Sequence, residues 1–212
     1  SDYVEEELML VDRMNAFRYR GQEQWGIPNE FVSPLGWQTA IFILSNLESS
    51  NTPTMQLQVL TRAVKAIYSE FKHAVIPKLK NEGKNADIFI AADDLVPIFI
   101  YVFCQTKLQH PLQNRELMWS LCHPDSLHGE GGYYLTVYES AIEYILNEPM
   151  EREAYVGENE LEIAERKLSM GGVRESRVKS TSVVDALLKI PGILAFKDRN
   201  SEIHFVFSNF FY

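Results

Sequence analysis

The chain has 212 residues, 46% of them hydrophobic and 23% charged, a globular composition long enough to bury a core without disulfides or metals. Its net charge of −9 argues against a nucleic-acid partner, which needs clustered Lys and Arg, and gives no general attraction to anionic membranes. No signal peptide is recognisable, and the longest apolar run, Leu95–Cys104, is too short to span a bilayer, so a cytoplasmic domain without membrane insertion is expected.

Ser1 to Arg20 reads as a helix, with Val4, Leu8, Val11, Met14 and Phe17 recurring at three- and four-residue steps. Gly21 to Val32 is a loop holding two glycines and Pro28. Ser33-Pro34 signals a second helix start, Ser at the N-cap and Pro in the first turn, carrying Trp37, Ile41, Leu44 and Leu47. Thr52-Pro53 repeats that signal ahead of a long helix whose stripe is Leu57, Leu60, Val64, Ile67 and Phe71. Pro77 is expected to end or kink it, leaving Lys78 to Asp87 as a loop. Lys78, Lys80 and Lys84 read there as a solvated cluster rather than a lipid site.

Leu95–Cys104 is apolar on all sides but for Tyr101, the pattern of a helix buried among others. Pro111–Cys122 is a shorter helix, and Ser126–Gly132, with three glycines, a loop. Thr136 then opens a helix in capping-box spacing with Glu139, with Ala141, Tyr144 and Ile145 facing inward. Asn147 to Glu160 reads as a linker, Leu161–Leu168 as a charged helix and Ser169–Ser180 as a loop. Val183–Leu188 is helical, and the runs Ile193–Phe196 and Ile203–Phe207 flank a hairpin turn. The expected fold is mainly α, a layered helical bundle with a small C-terminal α+β hairpin appendage. Its expected parts are supporting helices over 1–50, a core over 51–149 and an appendage of unknown role over 150–212.

Cys104 and Cys122 form no CxxC pair and read as reduced buried thiols. His73, His110, His123, His128 and His204 are scattered with no nucleophile motif beside them, and His123 and His128 near Asp125 have poor spacing for a metal. No metal or cofactor is expected.

Two stretches remain. In Ala91-Ala92-Asp93-Asp94-Leu95-Val96-Pro97, an N-cap at Asp94 puts Pro97 at the third helical position, where no intrahelical amide bond is lost. Asp93 is then left to project from the helix start, where the dipole favours a carboxylate. Both aspartates serving only as caps is the competing reading. In Gly129-Glu130-Gly131-Gly132-Tyr133-Tyr134-Leu135-Thr136, the glycines permit a tight turn that presents one ring. There Thr136 as a plain cap and the tyrosines as packing are equally open.

In this order the two stretches resemble the vacuolar-protein-sorting-nine (Vps-nine) guanine nucleotide exchange domain. Its members show Asp-Asp-hydrophobic-hydrophobic-Pro opening a buried helix, then Gly-Tyr-Tyr-hydrophobic-Thr. The resemblance runs from about Thr52 to Leu146, and Glu-Gly-Gly-Tyr-Tyr-Leu-Thr is most similar to the Ras-interacting, Rab-exchanging members. Thr54-Met55-Gln56 lacks the charged pair that many members carry, and Val137-Tyr138 replaces a small polar residue. The resemblance implies nucleotide exchange on a small GTPase of the early-endosomal Rab subfamily, by a protein recruited to early endosomes. It implies Asp93 as the catalytic acidic finger toward the GTPase's phosphate-binding lysine, with Pro97, Tyr133 and Thr136 touching the switch regions and Asp94 in support. A Rab-binding module without exchange activity, or a scaffold joined through the hairpin, is the alternative.

Overall fold

The structure is a computed structural model that describes residues 2–149 and the backbone of two strands, 193–197 and 203–207. The first unit is mainly helical: α1 (Asp2–Phe17), α2 (Gln38–Leu44), α3 (Pro53–Glu70), α4 (Ile76–Asn81), α5 (Ala92–Gln105), α6 (Pro111–Leu121), the short α7 (Pro124–Leu127) and α8 (Glu130–Asn147). The backbone of β1 (Ile193–Lys197) pairs antiparallel with β2 (Ile203–Phe207), Lys197 opposite Ile203 and Ile193 opposite Phe207. The turn between them, the helices expected at Leu161–Leu168 and Val183–Leu188, and the loop at Ser169–Ser180 lie outside the described residues.

The centre of the bundle is α5, with Leu95, Ile98, Phe99, Val102, Phe103 and Cys104 fully buried, as its all-round apolar sequence predicts. Helices α1, α2 and α8 pack on it. Tyr138 of α8 is wholly buried, 5.0 Å from the Phe103 ring and 6.4 Å from Phe99, and its hydroxyl donates to the Pro111 carbonyl at 3.1 Å. One side chain thus joins α5, α6 and α8, its apolar body in the core and its polar end satisfied.

Helix α3 starts as its sequence dictates: Thr52 is the N-cap, its hydroxyl oxygen accepting from the Met55 amide at 3.2 Å, and Pro53 occupies the first turn. The predicted stripe of α3 is buried throughout. Pro77 does not end it. The chain widens into a π-turn over Phe71–Val75 and re-enters a helix as α4, so the ring is accommodated and Lys78 lies on a helix, its ammonium donating to the Val32 carbonyl at 3.1 Å.

One predicted start does not hold. Ser33-Pro34 opens no helix: the Ser33 hydroxyl donates to the buried Glu70 carboxylate, which also accepts from the Trp37 amide at 2.7 Å. Gln22 holds the same loop, accepting from the Ser33 amide at 2.9 Å and the Trp37 indole at 2.8 Å. Trp37 is thereby fixed at φ 60°, a left-handed conformation unfavourable to a bulky residue, and α2 begins only after it.

The predicted face of α1 is likewise rotated. Leu10, Met14 and Phe17 are buried together with Glu7, whereas Val4 and Leu8 are each 61% exposed. Glu7 turns inward because its carboxylate caps α6, accepting from the Leu112 and Gln113 amides at 2.8 and 3.0 Å. Glu48 takes the amides just before them, Gln109 at 2.8 Å and His110 at 2.6 Å. Glu7→Ala strands buried amides and is expected to cost about 2–3 kcal/mol, a loss of several degrees in thermal unfolding. An unchanged melting temperature would show that the cap carries no stability.

Candidate functional site

The N-terminal turn of α5 begins one helical turn earlier than an Asp94 cap would place it. Ala91 is the N-cap, Asp93 is the second helical residue and Asp94 the third. The Asp94 carboxylate reaches back to accept from the Ala91 amide at 3.0 Å, so it does hold the helix start, from inside the first turn. Burial raises its pKa above the usual carboxylate range, the Ala91 amide opposes that, and the nearby Glu30 carboxylate adds to it. Asp93 is partly exposed beside it.

Pro97 falls inside the helix rather than in its first turn and is buried. Its ring cannot donate the amide bond that would otherwise close on the Asp93 carbonyl. The irregularity therefore sits directly under the carboxylate pair.

Across from this turn runs α8. Thr136 is not a cap: α8 starts at Glu130, and Thr136 lies in its second turn, 7% exposed, its hydroxyl donating to the Gly132 carbonyl at 3.0 Å. Gly131 and Gly132, expected in a loop, form the first turn of this helix. Gly129 before them has φ 72° and ψ −129°, a conformation that suits glycine and turns the chain from α7 into α8. Gly131 and Gly132 are there for closeness: a Cβ on Gly132 would stand 2.0 Å from the Leu127 carbonyl oxygen, and one on Gly131 2.2 Å from that of Ser126.

Tight docking on α7 sets the position of Tyr133, the next residue. Its phenol is partly buried, and its pKa is pushed up first by burial, then by the Tyr68 phenol and the Asp93 carboxylate. Asp93 and Tyr133, 40 positions apart in the chain, thus belong to one electrostatic neighbourhood. Pro97 lies one turn along α5 from Asp93, and Thr136 one turn along α8 from Tyr133.

Sequence reasoning missed the contribution of α3. Lys65 pairs with Glu130 at 2.8 Å, and the Tyr134 hydroxyl donates to the same carboxylate at 3.0 Å. Tyr68, one turn further along α3, feels Glu130 and has its pKa raised, chiefly by burial. The Lys65 and Tyr134 bonds hold the Glu130 carboxyl below its usual range. Only the three-residue spacing of Lys65 and Tyr68 on the flank of the α3 stripe hinted at them. Beside this cluster opens a hollow of about 570 Å³ lined by both apolar and charged residues, among them Met55, Leu57, Arg62, Lys65 and Glu130.

The scattered histidines take local roles where they are described: His123 caps α7, its ring nitrogen accepting from the Asp125 amide at 3.2 Å. Among the described residues no His, Cys, Asp or Glu cluster has the arrangement of a metal site, and no helix is long and apolar enough to cross a membrane. Burial pushes the Cys104 thiol far up, and both cysteines are free and buried.

The family model of the vacuolar sorting protein 9 (VPS9) domain matches residues 37–150, more than half of the chain. The chain belongs to the VPS9 domain family. It is similar to Ras and Rab interactor 3 of Mus musculus, 33% identical over 104 residues, covering 49% of this chain and 10% of that protein. It is also similar to vacuolar protein sorting-associated protein vps901 of Schizosaccharomyces pombe, 27% identical over 145 residues, or 68% of this chain and 23% of that protein. Ras and Rab interactor 2 of Homo sapiens matches at 28% over 141 residues, 65% of this chain and 14% of that protein. The chain therefore spans less than a quarter of these relatives. The VPS9 match takes in both the Asp93–Pro97 turn of α5 and the Tyr133–Thr136 turn of α8, and it leaves α1 outside.

Proposed function

We propose that this chain is a guanine nucleotide exchange factor that accelerates GDP release from a small GTPase of the early-endosomal Rab subfamily. The observation that carries the reading is the neighbourhood of Asp93 and Tyr133 at the N-terminal turn of α5, inside the stretch matched by the VPS9 family. The Rab in the names of its relatives, Ras and Rab interactors 2 and 3, supports the partner class.

No covalent bond is made. The chain binds the nucleotide-free GTPase more tightly than the loaded one, so nucleotide affinity falls by the same factor. Asp93 is the acidic finger: its carboxylate approaches the phosphate-binding lysine of the GTPase and competes with the magnesium and phosphates for that charge. Asp94 holds the turn that presents it. Pro97, Tyr133 and Thr136 form the seam against the switch regions, Tyr133 with its partly exposed side chain and Thr136 with the little surface it exposes. The negative charge of the chain disfavours the return of the departing nucleotide. The protein acts in the cytoplasm and is recruited to early endosomes.

The test is release of a fluorescent guanine nucleotide from a panel of purified Rab proteins. Acceleration confined to endosomal members is the expected result. Binding to a Rab without acceleration on any of them would overturn the exchange reading in favour of a binding module or scaffold.

A further inference from the structure

We infer that Phe89 is a contact residue for the same GTPase, one that adds affinity to the encounter without taking part in nucleotide expulsion; the inference rests on the exchange reading above. Phe89 is 77% exposed, an aromatic ring that the described residues leave in water. Burying such a ring is worth about 1.5–3 kcal/mol, so its exposure forgoes a stabilisation that most phenylalanines obtain inside the fold.

Its outward direction follows from its neighbours. Between α4 and α5 burial alternates: Ala86, Ile88 and Ile90 pack on the core, while Asp87, Phe89 and Ala91 face out, the period of an extended chain. Both ends of the strap are tied. The Asp87 amide donates to the Asn85 side chain at 2.9 Å, and the Ala91 amide to Asp94 at 3.0 Å. Ile88 and Ile90 cannot turn outward without losing their own burial, so Phe89 is presented rather than merely exposed.

The strap leads directly into the turn that carries Asp93. Four residues span at most about 14 Å, which places the Cα atoms of Phe89 and Asp93 within that distance of each other. A standard protein interface covers about 800 Å² on each partner, a patch of roughly 16 Å radius. A GTPase seated with its phosphate-binding lysine at Asp93 therefore covers the strap as well, and aromatic side chains are favoured in the buried part of such contacts. The surface it meets is an apolar patch close to the phosphate site. No other partner is needed to explain the ring, because the proposed one already reaches it.

The experiment compares nucleotide release by the full chain carrying Phe89→Ala, Phe89→Leu or Asp93→Ala over a range of exchange-factor concentrations. Phe89→Ala is expected to lower kcat/KM by about tenfold, almost entirely through KM, with Phe89→Leu recovering much of the loss. Asp93→Ala instead loses kcat. Because Phe89 is largely exposed among the described residues, unchanged circular dichroism and melting are expected for its variants. A Phe89→Ala protein with wild-type kcat and KM on every Rab that wild type accelerates overturns this inference alone. A wild type that accelerates none overturns it together with the exchange reading.

Discussion

Asp93→Ala is expected to fold normally and to lose nucleotide exchange, with kcat falling by about a hundredfold or more. Two magnitudes decide between these consequences. For the fold, Asp93 contributes a carboxylate near a helix N-terminus, worth about 0.3–1 kcal/mol against a total stability of roughly 5–15 kcal/mol. The helix start survives, because the Ala91 amide belongs to Asp94 and not to Asp93. For exchange, a carboxylate about 4 Å from a lysine ammonium interacts by about 4 kcal/mol at an effective dielectric near 20, a ceiling of roughly three orders of magnitude in rate. The check is single-turnover release from the preferred Rab, with thermal melting run on the same preparations. Asp93→Asn keeps the shape and removes the charge, so it should resemble Asp93→Ala if the charge is what acts. Release at the wild-type rate by both variants would remove the acidic finger from the mechanism.

Gly132→Ala should be the most damaging glycine-to-alanine change among the described residues. In an ordinary helix the change would gain about 1 kcal/mol through propensity and a smaller unfolded-state entropy. Here the added carbon meets the Leu127 carbonyl oxygen at 2.0 Å and its carbon at 3.0 Å. Both are backbone atoms, so no flexible side chain can yield, and α7 must move away from the first turn of α8. A displacement of that kind costs about 2–3 kcal/mol net, well above the propensity gain. It also shifts Tyr133, the next residue, relative to Asp93. The expected result is a lower melting temperature together with exchange reduced at temperatures where the protein is still folded. A Gly132→Ala protein as stable as wild type would mean that the α7–α8 contact is loose in solution.

What could be read from the sequence followed how local each cause was. Thr52-Pro53 opens α3 because the cap and its amide lie three residues apart. The burial of α5 was legible because its apolar residues run all round the helix. Glu7 was not, since its partners are the α6 amides more than 100 positions away, and that distant contact turns Val4 and Leu8 to the outside. Ser33 misled for the same reason: its hydroxyl goes to Glu70 on α3. At the site, the motif order brought out Asp93 and Tyr133, and the structure brings them into one neighbourhood. The start of α8 was misplaced because paired glycines usually mark a turn, and here they mark a close approach of two backbones. The roles of Lys65 and Tyr68 depend on which flank of α3 meets α8, a fact of packing that no local pattern encodes.

The clasp between the two ends of the helical unit bears on when the molecule becomes whole. Arg13 donates to the Ile145 carbonyl at 2.6 Å and to the Glu148 carbonyl, and Arg20 pairs with the Glu148 carboxylate at 2.7 Å while lying 4.2 Å over the Phe17 ring. These partners are separated by 128 to 135 positions in the chain. On a ribosome adding about 5–20 residues per second, α1 waits on the order of ten seconds for α8, the last of the helices it docks against. During that interval Leu10, Met14 and Phe17 lack the α8 side of their core, and closing so long a loop is the slow, late step of assembly. Helix α1 is thus among the last helices of this unit to find its place, and until then the nascent chain presents a sticky amphipathic segment that chaperones are suited to hold.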